Sequence, residues 1–221
     1  MMEGIAVIDK PSGITSHDVV SFVRRRFKIR RVGHAGTLDP LATGVLVILL
    51  GRSTKLFNKF VAFDKAYHAT LLLGVTTTTA DIEGQVLKQS SFDDVTKEQV
   101  EEIFRQFKGE MKQTPPMVSA IKVKGQRLYE LARNGIEVDR EPRGIRIDLL
   151  KLVDFSAPRV KFYLECSKGT YVRQLAEDIG GILGCGACIA QIERTKVGPF
   201  SIEQAVKLEA LNESHIRAWQ D

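Results

Sequence analysis

No stretch of this chain is apolar for anything near the roughly 20 residues that a bilayer-crossing helix needs. The longest apolar run, Val45 to Leu50, has the length of a strand. The opening Met1-Met2-Glu3-Gly4 sets an acidic side chain before a short apolar run, which is not the pattern of a secretory signal. Cysteine is scarce. Cys166, Cys185 and Cys188 are an odd number in a chain of 221 residues, long enough to fold without covalent staples, and this points to a reducing cytoplasm. Also missing are the phosphate-binding GxxxxGKS/T loop, a GxGxxG after a strand, HExxH and the GxSxG elbow. Nucleotide hydrolysis, hydride transfer and serine hydrolysis therefore lack support. Cys185-Gly186-Ala187-Cys188 has metal-ligand spacing, but a structural zinc takes four ligands, and Cys166 and the four histidines are scattered along the chain. Buried thiols at a close-packed turn are expected there, and no metal.

What is present describes an ordinary globular protein, with 43% hydrophobic residues to fill a core. Lys and Arg outnumber Asp and Glu by 32 to 27, so the formal charge of +5 permits a polyanionic partner without requiring one. The densest patch is Arg24 to Arg31, six cations in eight residues. It suits a solvated helix end, where cations complement the helix dipole, and equally a stripe that binds phosphates.

Ile5 to Ile8 reads as a buried strand ended by the turn Lys10-Pro11-Ser12-Gly13. Thr15 and Asp18 have capping-box spacing, and Val19, Val23 and Phe27 share the face of a helix that runs into the basic patch. Strands are expected at Val45–Leu50, Ala66–Leu73, Arg143–Phe155, Arg159–Ser167 and Ala187–Lys196. Helices are expected at Thr96–Phe107, Thr170–Leu183 and Leu208–Trp219. Residues 109–138 differ from their surroundings, with Pro115-Pro116, a basic stretch and a short helix closed by Gly135. Strands and helices do not alternate strictly, which favours an α+β domain around a mixed or antiparallel sheet. There is no repeat and no Ser/Pro-rich linker, so one domain over 1–221 with an inserted segment is expected.

The segment Gly33 to Gly44 stands out. Three glycines let its backbone approach a ligand, and Pro40 pushes Asp39 into an extended or turn conformation. Leu38 and Leu41 flank the carboxylate, an environment that desolvates and activates it. An aspartate that braces a glycine-rich turn fits the same residues.

Gly33-His34-Ala35-Gly36-Thr37-Leu38-Asp39-Pro40-Leu41-Ala42-Thr43-Gly44-Val45-Leu46 resembles the signature of the TruB family, the tRNA pseudouridine-55 synthases. Four further blocks resemble that family in its own order: Asp9 to Gly13 with Thr15-Ser16; Lys65-Ala66-Tyr67 with Gly74, Thr77, Thr79, Asp81 and Gly84; Pro115 to Ala120 with Lys122, Gly125, Leu128-Tyr129 and Ala132-Arg133; and Cys166 to Arg173 with Gly184 to Ala187. The resemblance spans about Gly4 to Phe200. It implies a pseudouridine synthase fold, a mixed or antiparallel sheet flanked by helices with an RNA-binding cleft and a thumb-like insertion at 109–138. It also implies a cofactor-free and metal-free isomerase that flips a T-loop uridine, breaks its glycosidic bond, turns the base and rejoins ribose C1′ to C5.

Carried over residue by residue, Asp39 would be the essential carboxylate, attacking C1′ or C6 or assisting a glycal route. Tyr67 would stack on the flipped base, worth roughly 1–3 kcal/mol, and Arg173 would pair with the carboxylate. His34 would fill the gap that the base leaves. Gly36, Thr37 and Leu38 would line the substrate with it, Lys10 and Tyr171 would support the site, and Ile192 would wall the uracil pocket. Lys112, Lys122, Lys124, Arg127 and Arg133 would contact phosphates from the insertion. The family usually has leucine in place of Ile192 and commonly arginine in place of Glu193, which here sets a negative charge near an anionic ligand. Members generally carry a C-terminal RNA-binding PUA domain, expected to be absent from this chain. The implied partner is the T-stem-loop of tRNA, bound by a cytoplasmic monomer with no obligatory protein partner and no membrane. A related guide-RNA-dependent synthase, which shares the catalytic loop, and a catalytically silent RNA chaperone are the alternatives.

Overall fold

The computed structural model describes residues 2–219, apart from 120, 124, 134 and 137. In chain order the elements are β1 (Gly4–Lys10), α1 (Ser16–Phe27), β2 (Val32–Ala35), β3 (Thr43–Leu50), α2 (Phe57–Val61), β4 (Lys65–Leu73), β5 (Val75–Thr77), β6 (Val86–Gln89), α3 (Lys97–Gln106) and β7 (Gly109–Gln113). They continue with β8 (Lys122–Val123), β9 (Gln126–Arg127), α4 (Leu128–Arg133), β10 (Arg143–Ser156), β11 (Arg159–Cys166), α5 (Val172–Leu183), β12 (Ala187–Val197), β13 (Phe200–Ser201) and β14 (Val206–Lys207). By its contacts the chain divides into two compact units, one formed by 1–68 with 191–221 and the other by 69–190. Among the described residues no helix is long and apolar enough to cross a membrane.

In the first unit β3 is central because every one of its residues after Thr43 is buried, as a continuous apolar run requires of a strand covered on both faces. β1 pairs with it antiparallel along its whole length, from Gly4 opposite Leu50 to Lys10 opposite Gly44. Its other edge is shared by β2, antiparallel at Val47–Leu50, and by β12, parallel at Thr43 and Gly44. β14 adds to β1 in parallel, so the sheet is mixed, as expected. Leu46, Ile48 and Leu50 of β3 pack with Ile8 and with Val19, Val20 and Val23 of α1. Val45, Val47 and Leu49 face the opposite way and pack with Phe60 of α2, Val197 and Phe200. α1 begins where the capping-box spacing places it. The Thr15 hydroxyl accepts from the Asp18 N–H at 3.1 Å while the Asp18 carboxylate accepts from the Thr15 N–H at 2.8 Å.

The second unit is antiparallel. β10 lies between β7 and β11, and α3 packs against β10 and α5. Phe104 of α3 meets Phe162 of β11 edge to face, with ring centroids 5.9 Å apart. The three cysteines are buried and form no disulfide, and burial, followed by the charges of Asp81 and Glu177, pushes the Cys188 thiol up to about 11. A thiol so rarely ionised is a poor nucleophile, in keeping with a packing role.

One expected element is corrected. Leu208–Trp219 does not form an α-helix, but two short 3-10 turns, Leu208–Ala210 and Glu213–His215. The i, i+3 pair Leu208 and Leu211 is buried in the core cluster behind α1, which the turns satisfy as well as a helix would. Arg217 then exchanges both backbone hydrogen bonds with Ile5, at 2.8 and 2.9 Å. That sheet-like bridge holds the segment extended, overriding its helical pattern.

Candidate active site

In the first unit the glycine-rich segment is partly strand. Val32–Ala35 pairs with β3, and the turn that follows carries Gly36 to Ala42 back into the start of β3. Asp39 sits half-buried at its tip, with its carbonyl accepting from the Ala42 N–H at 3.1 Å. Leu38, 4% exposed, anchors the turn in the core below.

The turn after β1 holds this loop from one side. Lys10 is fully buried, and its ammonium donates to the carbonyls of Pro11, Ile14 and Pro40 at 2.8, 2.7 and 3.3 Å. Gly13 N–H reaches the same Pro40 carbonyl at 2.9 Å, and the Ser12 hydroxyl reaches the Leu41 carbonyl at 3.1 Å. Ser16, the first residue of α1, donates its hydroxyl to the Leu38 carbonyl and accepts from the Leu38 N–H, at 3.0 and 2.8 Å. These backbone groups of the loop thus find partners, as their placement among apolar neighbours demands.

From the other side comes Arg194, a residue that no sequence motif singled out. It is 2% exposed, and its guanidinium donates to Val45 O (2.8 Å), Gly36 O (3.1 Å) and Thr37 O (3.4 Å). Tyr67 and Asp39 lie within electrostatic reach of it. Burial lowers its pKa, and Tyr67 and Asp39 oppose that shift. The loop makes room for it with two glycines. A side chain on Gly44 (φ +95°) would put its first carbon 2.3 Å from the Arg194 carbonyl, and one on Gly36 (φ +93°) would meet the guanidinium at 3.6 Å. The only local signal for Arg194 is the alternation along β12, which turns Glu193 and Thr195 half outward and Arg194 inward.

Tyr67, 7% exposed, lies at the start of β4, and with Asp39, Gly36 and Thr37 it makes up the neighbourhood of Arg194. His34 on β2 belongs to it through the charge of Arg194. Its imidazole is largely buried, its Nδ1 has no hydrogen-bond partner, and desolvation, then Arg194 and His17, hold its pKa below the usual histidine value. Ile192 packs against the same core cluster as Leu38, and Glu193 lies opposite Thr43 in the β12–β3 register.

Arg173 and Tyr171 belong to the second unit. Arg173 is 5% exposed, donates to Thr79 O and Val118 O at 2.7 and 2.8 Å, and lies 3.7 Å from the Asp81 carboxylate. Asp81 is itself held by the Thr79 hydroxyl at 2.5 Å and the Glu83 N–H at 3.1 Å. Tyr171 caps α5, and its backbone N–H and carbonyl are both bound by the Gln113 side-chain amide, at 2.8 and 3.1 Å. Lys122 starts β8 and Arg133 ends α4, whereas Lys124 lies outside the described residues.

A carboxylate, a phenol and a buried arginine are groups able to carry acid–base or nucleophilic chemistry. Residues 24–172 match the family described as TruB family pseudouridylate synthase, N-terminal domain, and residues 173–221 match the tRNA pseudouridylate synthase B C-terminal domain. The chain belongs to the TruB family of pseudouridylate synthases. The protein named tRNA pseudouridine synthase B from Clostridium tetani is 50% identical over 216 residues, covering 98% of this chain and 75% of that protein. Its namesake from Syntrophotalea carbinolica is 48% identical over 210 residues, 95% of this chain and 69% of that one. Among solved structures, a chain of a Cbf5-Nop10-Gar1 complex has a TM-score of 0.74 at 28% identity. It is matched over 93% of this chain, which spans 52% of its length.

Proposed function

We propose that this chain isomerises uridine 55 in the T-loop of tRNA to pseudouridine, with Asp39 as the essential carboxylate. The observation that carries the reading is the signature loop itself, with Asp39 at its tip and buried Arg194 holding the Gly36, Thr37 and Val45 carbonyls on either side of it. The names of the relatives at 48–50% identity supply the tRNA substrate. The uridine is flipped out of the loop, the N1–C1′ bond breaks, the base turns, and C5 bonds to C1′. The hydrogen on C5 leaves to solvent and N1 takes one up, so the reaction balances without a redox partner. Attack at C1′, attack at C6 and a glycal route all use the Asp39 carboxylate. Tyr67 stacks on the flipped base, and the cost of extrusion, a few kcal/mol, is offset in part by His34 filling the gap. Arg173 is the arginine that the family motif assigns to the carboxylate as counter-ion. Lys10 and Tyr171 keep the backbone of the site in place, and Lys122, Arg133 and the insertion hold phosphates.

Identity near 50% to proteins named as tRNA enzymes, against 28% to the Cbf5 chain, favours a synthase that acts without a guide RNA or partner protein. Tritium release from [5-³H]-uridine in a T-stem-loop RNA tests both points. Wild type should release tritium stoichiometrically as a purified chain, and Asp39→Ala none, with RNA affinity unchanged within about threefold because the carboxylate acts in chemistry and not in binding. Tight binding by wild type without release would refute the stand-alone reading. Release by Asp39→Ala would remove the carboxylate from the mechanism.

A further inference from the structure

We propose that Arg194 is a positioning residue for this reaction, its guanidinium fixing the Tyr67 phenol and the Asp39 loop in one arrangement. The inference rests on the function proposed above. Three of its donors hold backbone carbonyls at both ends of the loop, Gly36 and Thr37 before Asp39 and Val45 after it. The same group lies within electrostatic reach of both Tyr67 and Asp39. Packing alone does not account for it, since a buried charge is expensive and an apolar side chain of similar volume stabilises a core as well or better. Nor would lysine serve. Its ammonium is a point donor with three protons, whereas the planar fork of arginine addresses several acceptors in fixed directions. Gly44 shows how closely the loop is fitted, because any side chain there would displace the Arg194 backbone.

Tyr67 is buried beside Arg194, so its ring can be aimed at a flipped base only as the guanidinium allows. Single-turnover tritium release at saturating T-stem-loop RNA, with dissociation constants and melting curves alongside, should be measured for wild type, R194K, R194Q, Y67F and R194K/Y67F. R194K and R194Q should each lose about a hundredfold in rate, with affinity within about threefold, as mispositioning by an ångström does. Because part of the arginine's effect runs through the phenol, R194K should cost less in the Y67F background than in wild type. Wild-type rates in R194K, equal losses of rate and affinity, or strictly additive losses in the double variant would each overturn the proposal. So would failure of both Arg194 variants to fold, which would make the residue a core brace. An inactive wild type would sink the proposed function instead, so the two failures are distinguishable.

Discussion

His34 shows how one side chain registers its surroundings. Its ring is desolvated and faces the cations of Arg194 and, in the acid range, His17, so the neutral form is favoured in the folded state. A neutral flat ring is the form suited to the gap-filling role proposed for it. The sign of the stability effect follows. The unfolded chain takes up a proton near the usual histidine value of 6.5 and the folded chain only at lower pH, so stability present above 6.5 is lost as pH falls through the folded value. Denaturant midpoints of wild type and His34→Gln between about pH 7.5 and 5 should therefore diverge in one direction, wild type losing ground as the pH drops. A constant difference would mean that His34 does not titrate differently in the two states. Arg194 belongs to the same scale and teaches the opposite lesson about legibility. Asp39, Tyr67 and His34 stand in motifs that can be quoted from the chain, whereas Arg194 follows Glu193 in a strand and looks like one more surface charge until β12 is placed beside β3.

At the scale of elements, α1 does two jobs at its first turn. Thr15 and Asp18 close the capping box, and Ser16 ties the helix to Leu38, the residue before Asp39. Thr15→Ala should lower stability by about 1 kcal/mol and leave the single-turnover rate within about twofold, because the cap serves the helix alone. Ser16→Ala leaves the Leu38 N–H and carbonyl without their buried partner, which costs about 1–3 kcal/mol. It should also slow the chemical step by about tenfold as the loop loosens. Equal rates for the two variants in thermal and kinetic assays would separate α1 from catalysis. The start of α1, the double-sided burial of β3 and the amphipathic face of α3 were all readable from spacing, because each is a matter of local period and capping. The segment after Leu208 was not. Its apolar spacing fits a helix, but the backbone bridge to Ile5 decided otherwise.

For the molecule as a whole, a formal +5 says little until the cations are located. Arg24 bends back to the Val32 carbonyl at 2.9 Å, a local helix-end contact. Arg25, Arg26, Arg30 and Arg31 remain exposed on the unit that carries Asp39, where phosphates can reach them. Replacing Arg25, Arg26 and Arg30 by Gln should weaken T-stem-loop binding and reduce the slope of log affinity against log salt. The reduction should be about 0.7–0.9 for each phosphate no longer neutralised, with the rate at saturating RNA unchanged. An unchanged slope would assign the patch to the helix dipole alone.

The sequence by itself determined the α+β class and most element positions, because periodicity, capping and turn chemistry act over a few residues, and its resemblance to the family marked the signature loop with Asp39 inside it. Only the tertiary structure decided which distant groups serve that loop. The hydrogen bonds of Arg194 to Val45 and Gly36 join positions 149 and 158 residues apart, and Lys10 reaches Pro40 across 30. No local pattern encodes such pairings. They arise when strands β1, β3 and β12 register against one another, and buried donors must then find the carbonyls that the loop presents.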